Sequence, residues 1–250
     1  MKKVMLLAMV AVMATSSMNA QTESDSKWTL NTRAWSTNYF TTLLFGVAAE
    51  CITDFAFSSS TEDSLGAERI IPKADLVFPI GLQKSGFCDG HEIYGPYHYA
   101  FGNPFKHIGD YGIGLDVSYK PCSIGFYAGA YFKSQEIVWK ENYDNLRGYY
   151  FQPRAGLMMG SNKHAFEAGV FYDVPTGCSG TMPIPDGKLT DDKSVLKKGL
   201  GLDFAFSTAD KGGRTELQFS LPLHNFIDTD VAPGYKRKVG YIMLTRRVIL

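Results

Sequence analysis

The chain predicts an all-β fold: one antiparallel sheet in up-and-down order, closed into a transmembrane β-barrel of eight strands, with ten as the alternative count. Three observations carry that expectation. From residue 110 onward bulky apolar residues alternate with small or polar ones, the period of a strand. The connections between these stretches run alternately short and long. The bulky face is almost free of charge, whereas the opposite face holds glycine, serine and both signs of charge.

Residues 1–20 stand apart from that pattern. Lys2 and Lys3 precede an apolar run from Val4 to Ala14, and Met18-Asn19-Ala20 offers a small-residue cleavage site. This predicts a cleaved signal peptide, too short to span a bilayer, with residues 21–250 as a single domain. No Cys follows the cleavage point, which argues against a lipid-anchored product. Removing Lys2 and Lys3 leaves 23 basic residues against 25 acidic, so no basic excess points to nucleic acid. No later apolar run reaches eighteen residues, so a membrane could be crossed only by strands.

Residues 21–109 are the less legible part. Leu43, Phe45 and Val47 alternate within 38–59 and predict a strand; 74–82 is a second candidate, weakened by Pro79. The aromatic, Gly- and Pro-rich stretch 88–107 reads as a long loop. The clearest strands lie in 110–250. "YGIGLDVSY" (111–119) sets Ile113, Leu115 and Val117 against Gly114, Asp116 and Ser118; "CSIGFYAGAYFK" (122–133) continues beyond Lys120-Pro121. Strands at 149–160 and 163–174 flank Ser161-Asn162, the pair "GLGLDFAFS" and "RTELQFSLPL" flanks 209–212, and 237–250 closes the chain.

Antiparallel pairing across the three turns places Val117 opposite Ile124 and Asp116 opposite Gly125. It places Leu157 opposite Phe166, Gly156 opposite Glu167, Phe204 opposite Leu217 and Asp203 opposite Gln218. Apolar meets apolar each time, as one continuous face requires. The connections then run 120–121, 134–148, 160–163, 175–197, 209–213 and 223–236, the rhythm of short periplasmic turns and longer extracellular loops. Bulk and charge assign the faces: Leu200, Leu202, Phe204 and Phe206 outward to lipid, Gly201, Asp203 and Ala205 inward. Charge placed at Leu202 or Phe204 should therefore harm assembly more than Gly201→Ala or Asp203→Asn.

The inward set of Asp116, Lys133, Arg154, Glu167, Asp173, Asp203, Arg214 and Glu216 predicts a polar network plugging a narrow lumen. Such ions need partners, and Glu167 could reach Arg154 from the neighbouring strand. A lining for a small-solute path is the rival reading. Cys51, Cys88, Cys122 and Cys178 permit two disulfides in an exported chain; Cys88 and Cys178, both in loop-like sequence, are the first candidates for a bridge. Four unpaired thiols are the alternative.

Catalytic, cofactor and metal sites are not expected. His91-Glu92 lacks the second His of a zincin helix, and Cys88, His91 and His98 read more simply as loop residues. Residues 185–193 lack the ligand pattern of an EF-hand. His91, His98, Ser179 and Asp173 are the nearest ingredients of a hydrolase, with no spacing that makes them converge. His224 and Asn225 read as turn residues.

On its alternating strands, its loop rhythm and a last strand ending at Leu250, the chain resembles the small outer-membrane β-barrel proteins of Gram-negative bacteria. The resemblance implies an outer-membrane location, lipid around the barrel and recognition of the last strand by the barrel-assembly machinery. That strand usually ends in an aromatic residue, and here ends in Leu250, with Arg246-Arg247 interrupting the pattern so that one arginine must point outward. A structural or surface-interaction role through the long loops, with no enzymatic activity, is the expected function. A small-solute channel is the alternative, a lipid-modifying enzyme a lesser one, and a soluble secreted binder a remote one.

Overall fold

The computed structural model describes residues 27–36, 44, 70–87, 110–138, 145–161, 163–181, 189–210, 213–232 and 238–249. They form an all-β architecture of ten strands in one sheet. The strands are β1 (Trp28–Ser36), β2 (Ile70–Phe87), β3 (Tyr111–Tyr119), β4 (Ile124–Val138) and β5 (Asn145–Gly160). After them come β6 (His164–Thr181), the two-residue β7 (Leu189–Thr190), β8 (Gly199–Asp210), β9 (Gly213–Pro222) and β10 (Lys238–Ile249). Among the described residues no helix is long and apolar enough to cross a membrane, which says nothing about strands.

Neighbours follow the order β5-β4-β3-β1-β2-β10-β9-β8-β6-β7, and β5 pairs with β6 as well. All ladders are antiparallel except one: β1 lies parallel to β2, from Trp28 against Ile70 to Trp35 against Val77. Here the expected up-and-down order is corrected. Parallel neighbours need a crossover of a dozen residues or more, and 37–69 is ample. Seven long strands follow residue 110, as read from the alternation, and two precede it. The candidate strand with Leu43, Phe45 and Val47 and the loop 88–107 lie outside the described residues.

The hairpins keep the expected faces but not the expected partners. Val117 pairs with Ala128 and Asp116 with Gly129; Leu157 pairs with Ala168 and Gly156 with Gly169; Phe204 pairs with Phe219 and Asp203 with Ser220. Each register is displaced by an even number of residues, and an even shift leaves every side chain on its own face. Turn chemistry sets the displacement. Gly160, at φ 118°, lets Ser161 donate its N–H to the His164 carbonyl, while the Ser161 hydroxyl accepts from the His164 N–H. Gly213, at φ 132°, closes a turn of only two residues after Asp210.

Two breakers are absorbed by bulges. Pro79 sits where the β10 register shifts between Leu244 and Thr245, so β2 runs through it. A second shift, at Tyr149/Tyr150, accommodates Pro175, so β6 continues to Thr181 instead of ending near residue 174. The connection expected over 134–148 shrinks to 139–144 for the same reason: β4 and β5 run on.

Burial is distributed inside out. Ile124, Leu157 and Phe206 are 56%, 54% and 54% exposed, whereas Asp116, Asp173 and Glu216 are 3%, 2% and 1% exposed. The inward glycines make room for rings from neighbouring strands. A Cβ added at Gly201 would lie 2.0 Å from the Phe171 ring, and one at Gly169 would lie 2.2 Å from the Tyr127 hydroxyl. Gly201→Ala therefore carries a packing cost of its own, because Phe171 is itself buried and cannot step aside.

At the end of the sheet carrying the long connections, the enclosed space turns apolar. Val195, Leu196, Phe226, Ile227 and Ala232, from the connections after β7 and β9, are buried against Ile137, Leu146, Tyr150 and Val239 of the strands. Leu196 and Ile227 form a bridge, Lys197 N–H donates to the Phe226 carbonyl at 3.1 Å, and Asp228 N–H donates to the Val195 carbonyl at 2.8 Å. These two connections form a cap.

Candidate functional site

The polar side chains of the enclosed face converge as alternation requires, since residues two apart on adjacent strands project into the same space. At the centre is Arg154 on β5. Its guanidinium lies 4.8 Å from the Tyr127 ring and 4.9 Å from the Tyr131 ring, a pair of cation–π contacts. Nε stands 3.7 Å from Asp116 of β3, and Nη1 stands 4.0 Å from Asp203 of β8. Tyr131 donates its hydroxyl to Asp116 at 2.5 Å. One cation thus ties carboxylates from strands on both sides of β5.

Toward the cap, Lys133 of β4 is paired with Asp173 of β6 at 3.0 Å, with both side chains buried. Gln152 donates to Oδ1 of the same carboxylate at 2.8 Å. The ammonium also lies 5.3 Å from the rings of Tyr150 and Phe171, beneath the apolar cap. Toward the short turns, Arg214 donates to the Ser207 hydroxyl at 3.0 Å, and the Gln218 amide donates to Glu216. Glu167 is buried too, and it lines the same cavity as Arg33 and Arg154.

Of the eight residues expected in the interior, Asp116, Lys133, Glu167, Asp173 and Glu216 are buried and Arg154, Asp203 and Arg214 half-buried, spread over three levels rather than gathered at one point. Arg33 of β1 was not among them, and it is buried as well. Also unforeseen were two bonds between strands that are not neighbours: Tyr241 of β10 donates to Asp110, just before β3, at 2.5 Å, and Gln135 of β4 donates to the Val239 carbonyl of β10 at 3.2 Å. Arg147 and Glu136 pair at 2.7 Å near the cap. A residual cavity of about 70 Å³ remains between Arg33, Arg154, Glu167 and Asp203, room for several waters.

Outside the network stand the cysteines and the residues weighed for catalysis or metal binding. Cys178 is a buried free thiol beside the cap, and Cys122 is free and exposed. Cys51, Cys88, His91 and His98 lie outside the described residues. Asp173 is committed to Lys133 and Gln152, and Ser179 is exposed farther along β6. Among the described residues no group of three or more His, Cys, Asp or Glu could hold a metal ion. Arg246 points outward, as one of the two arginines had to, and is neutralised by Asp210 at 2.5 and 2.7 Å. What this arrangement can do chemically is fill space with fixed, paired charge. No family model, curated protein or solved structure matches the chain.

Proposed function

We propose that this chain is an outer-membrane β-barrel of a Gram-negative bacterium, its lumen plugged, serving a structural or surface-interaction role through its long connections. One observation carries the reading: charged groups are buried while a continuous belt of Leu, Phe, Ile and Val is exposed. In water such a belt would be a large apolar patch, whereas against acyl chains it is the favourable surface. On β4 it runs from Ile124 to Phe132, about 27 Å along the strand, which a tilt of about 40° reduces to about 20 Å, most of the roughly 25 Å apolar band of an outer-membrane barrel.

Further support comes from the rims. Trp28, Tyr119 and Phe126 cluster near the short turns, with Trp28 and Tyr119 centred 4.5 Å apart, and Phe132 stacks on Tyr149 at 6.4 Å nearer the cap. Aromatic girdles of this kind suit the two interfaces of a bilayer. Because β5 pairs with both β4 and β6, the pairings favour a closed sheet without a free edge. Outer-membrane lipid and, through β10, the barrel-assembly machinery are the partners this reading requires.

The test is fractionation. The mature protein should be recovered with the outer membrane, migrate faster unboiled than boiled on a denaturing gel, and give no steady conductance in a planar bilayer. Recovery in the soluble fraction would overturn the barrel reading. Stable ion-selective conductance would transfer it to a small-solute channel, for which the charged cavity is the natural path.

A further inference from the structure

His224 is the first polar residue after β9, at the root of the connection that supplies Phe226 and Ile227 to the cap. It is seated in a notch: a Cβ added at Gly199 would lie 2.4 Å from the His224 Cβ. Its Nδ1 is 3.4 Å from the Leu200 carbonyl oxygen, and its Nε2 is 3.6 Å from Asp173 Oδ2. The side chain is 11% exposed and Asp173 is 2% exposed. Thus one imidazole joins the apolar cap to the polar level beneath it.

We propose that His224 is a proton-operated catch, neutral when the cap is seated and unseating the 223–232 connection when protonated. The reason lies in what already faces it. Among the described residues Asp173 of β6 is the carboxylate placed against it, and that carboxylate is already neutralised by Lys133 of β4 and hydrogen-bonded by Gln152 of β5. Lys238, which opens β10, adds another positive charge, and β8 contributes only the Leu200 carbonyl. A protonated ring would be a further cation in a buried site whose one anion is taken.

Burial pushes the imidazole below its ordinary 6.5, Lys133 and Lys238 push the same way, and Asp173 and the Leu200 carbonyl oppose them. A group whose seated-state value is depressed takes up its proton more readily when unseated. The closed cap is therefore fully favoured above about pH 6.5 and loses stability as the pH falls from there toward the depressed value. The device depends on the cap geometry and not on where the barrel resides.

Cys178 and Cys122 provide the readout, since the first is buried beside the cap and the second is exposed. Folded full-length protein in detergent is treated with dithiodipyridine at pH 7 and pH 5, and modification at each cysteine is followed by mass spectrometry. Expressing the Cys178 rate relative to Cys122 removes the common effect of pH on thiol reactivity. The ratio should rise about tenfold between pH 7 and pH 5, as local opening exposes the thiol, and stay within about twofold in His224→Gln. Lys133→Gln frees Asp173 to receive the imidazolium, so its rise should be smaller than that of the unmodified protein. A pH-independent ratio in the unmodified protein, or an equal rise in His224→Gln, overturns the proposal. Should His224→Gln fail to fold, an undiminished rise in Lys133→Gln does the same. A soluble location alone would leave this result standing, so failure of the membrane reading and failure of the catch are separable.

Discussion

The enclosed space of this sheet is filled in two ways, and the two ends differ in what holds them. In the middle, Arg154 joins β3, β5 and β8 through Asp116, Asp203 and two tyrosine rings. At the cap, Val195, Leu196, Phe226 and Ile227 fill the mouth with hydrocarbon, and the two connections are joined by the two backbone hydrogen bonds of one bridge. Paired charge is unforgiving, because each partner removed leaves an ion in a poorly solvated place. Apolar filling is tolerant and separable, because its contacts are non-directional and the cap meets solvent on one side. The comparison implies a rigid middle and a cap that can open without unfolding the sheet.

The largest expected effect tests the middle. Arg154→Ala removes the side chain that reaches both Asp116 and Asp203, and should destabilise the folded protein by about 3–5 kcal/mol. Urea titration in detergent measures it. A loss below about 1 kcal/mol would mean that the carboxylates find other partners, as in a hydrated path, and would erase the distinction between the two ends.

The next test addresses the cap. Ile227 is fully buried, and Ile227→Ala should cost about 2 kcal/mol, near the lower end for such truncations because the cap can settle. If the cap opens separately, the urea midpoint should hold while the reactivity of Cys178 at pH 7 rises roughly thirtyfold, the same energy expressed as a local opening. A falling midpoint with unchanged Cys178 reactivity would make cap and middle one cooperative unit.

The middle was the more legible end in the sequence, and the physics says why. A strand with one polar and one apolar face writes its burial as a period of two, so Asp116, Lys133, Arg154 and Asp173 could be placed on the inner face without knowing the register. Their partners could not be named: even displacements of two or four residues preserve the face but change who meets whom, as where Asp203 meets Ser220 rather than Gln218. Arg33 escaped because β1 is buried on both faces, with Thr32 and Ala34 as covered as Arg33 itself, so no alternation marks "WTLNTRAWS". The cap was opaque for another reason. Its residues come from irregular connections, where burial follows from tertiary contact and leaves no period to read.

The smallest expected effect concerns a contact that looks as though it should matter. Lys197 and Asp228 pair at 2.9 Å across the two connections, on the outer surface of the cap. The hydrogen bond from Lys197 holds the Asp228 carboxyl below its ordinary 3.8, and the same bond raises Lys197 above its ordinary 10.5. The pair therefore favours the closed cap between those limits, losing its contribution as the pH falls below about 3.8 or rises above about 10.5. Both groups are solvated, however, so water and salt screen most of the attraction. Lys197→Ala should leave both the urea midpoint and the Cys178 rate at pH 7 unchanged within error, at low and high salt alike. A salt-dependent rise in the Cys178 rate would mean that the cap is held by charge after all, and that its two connections would part on breaking one exposed bond.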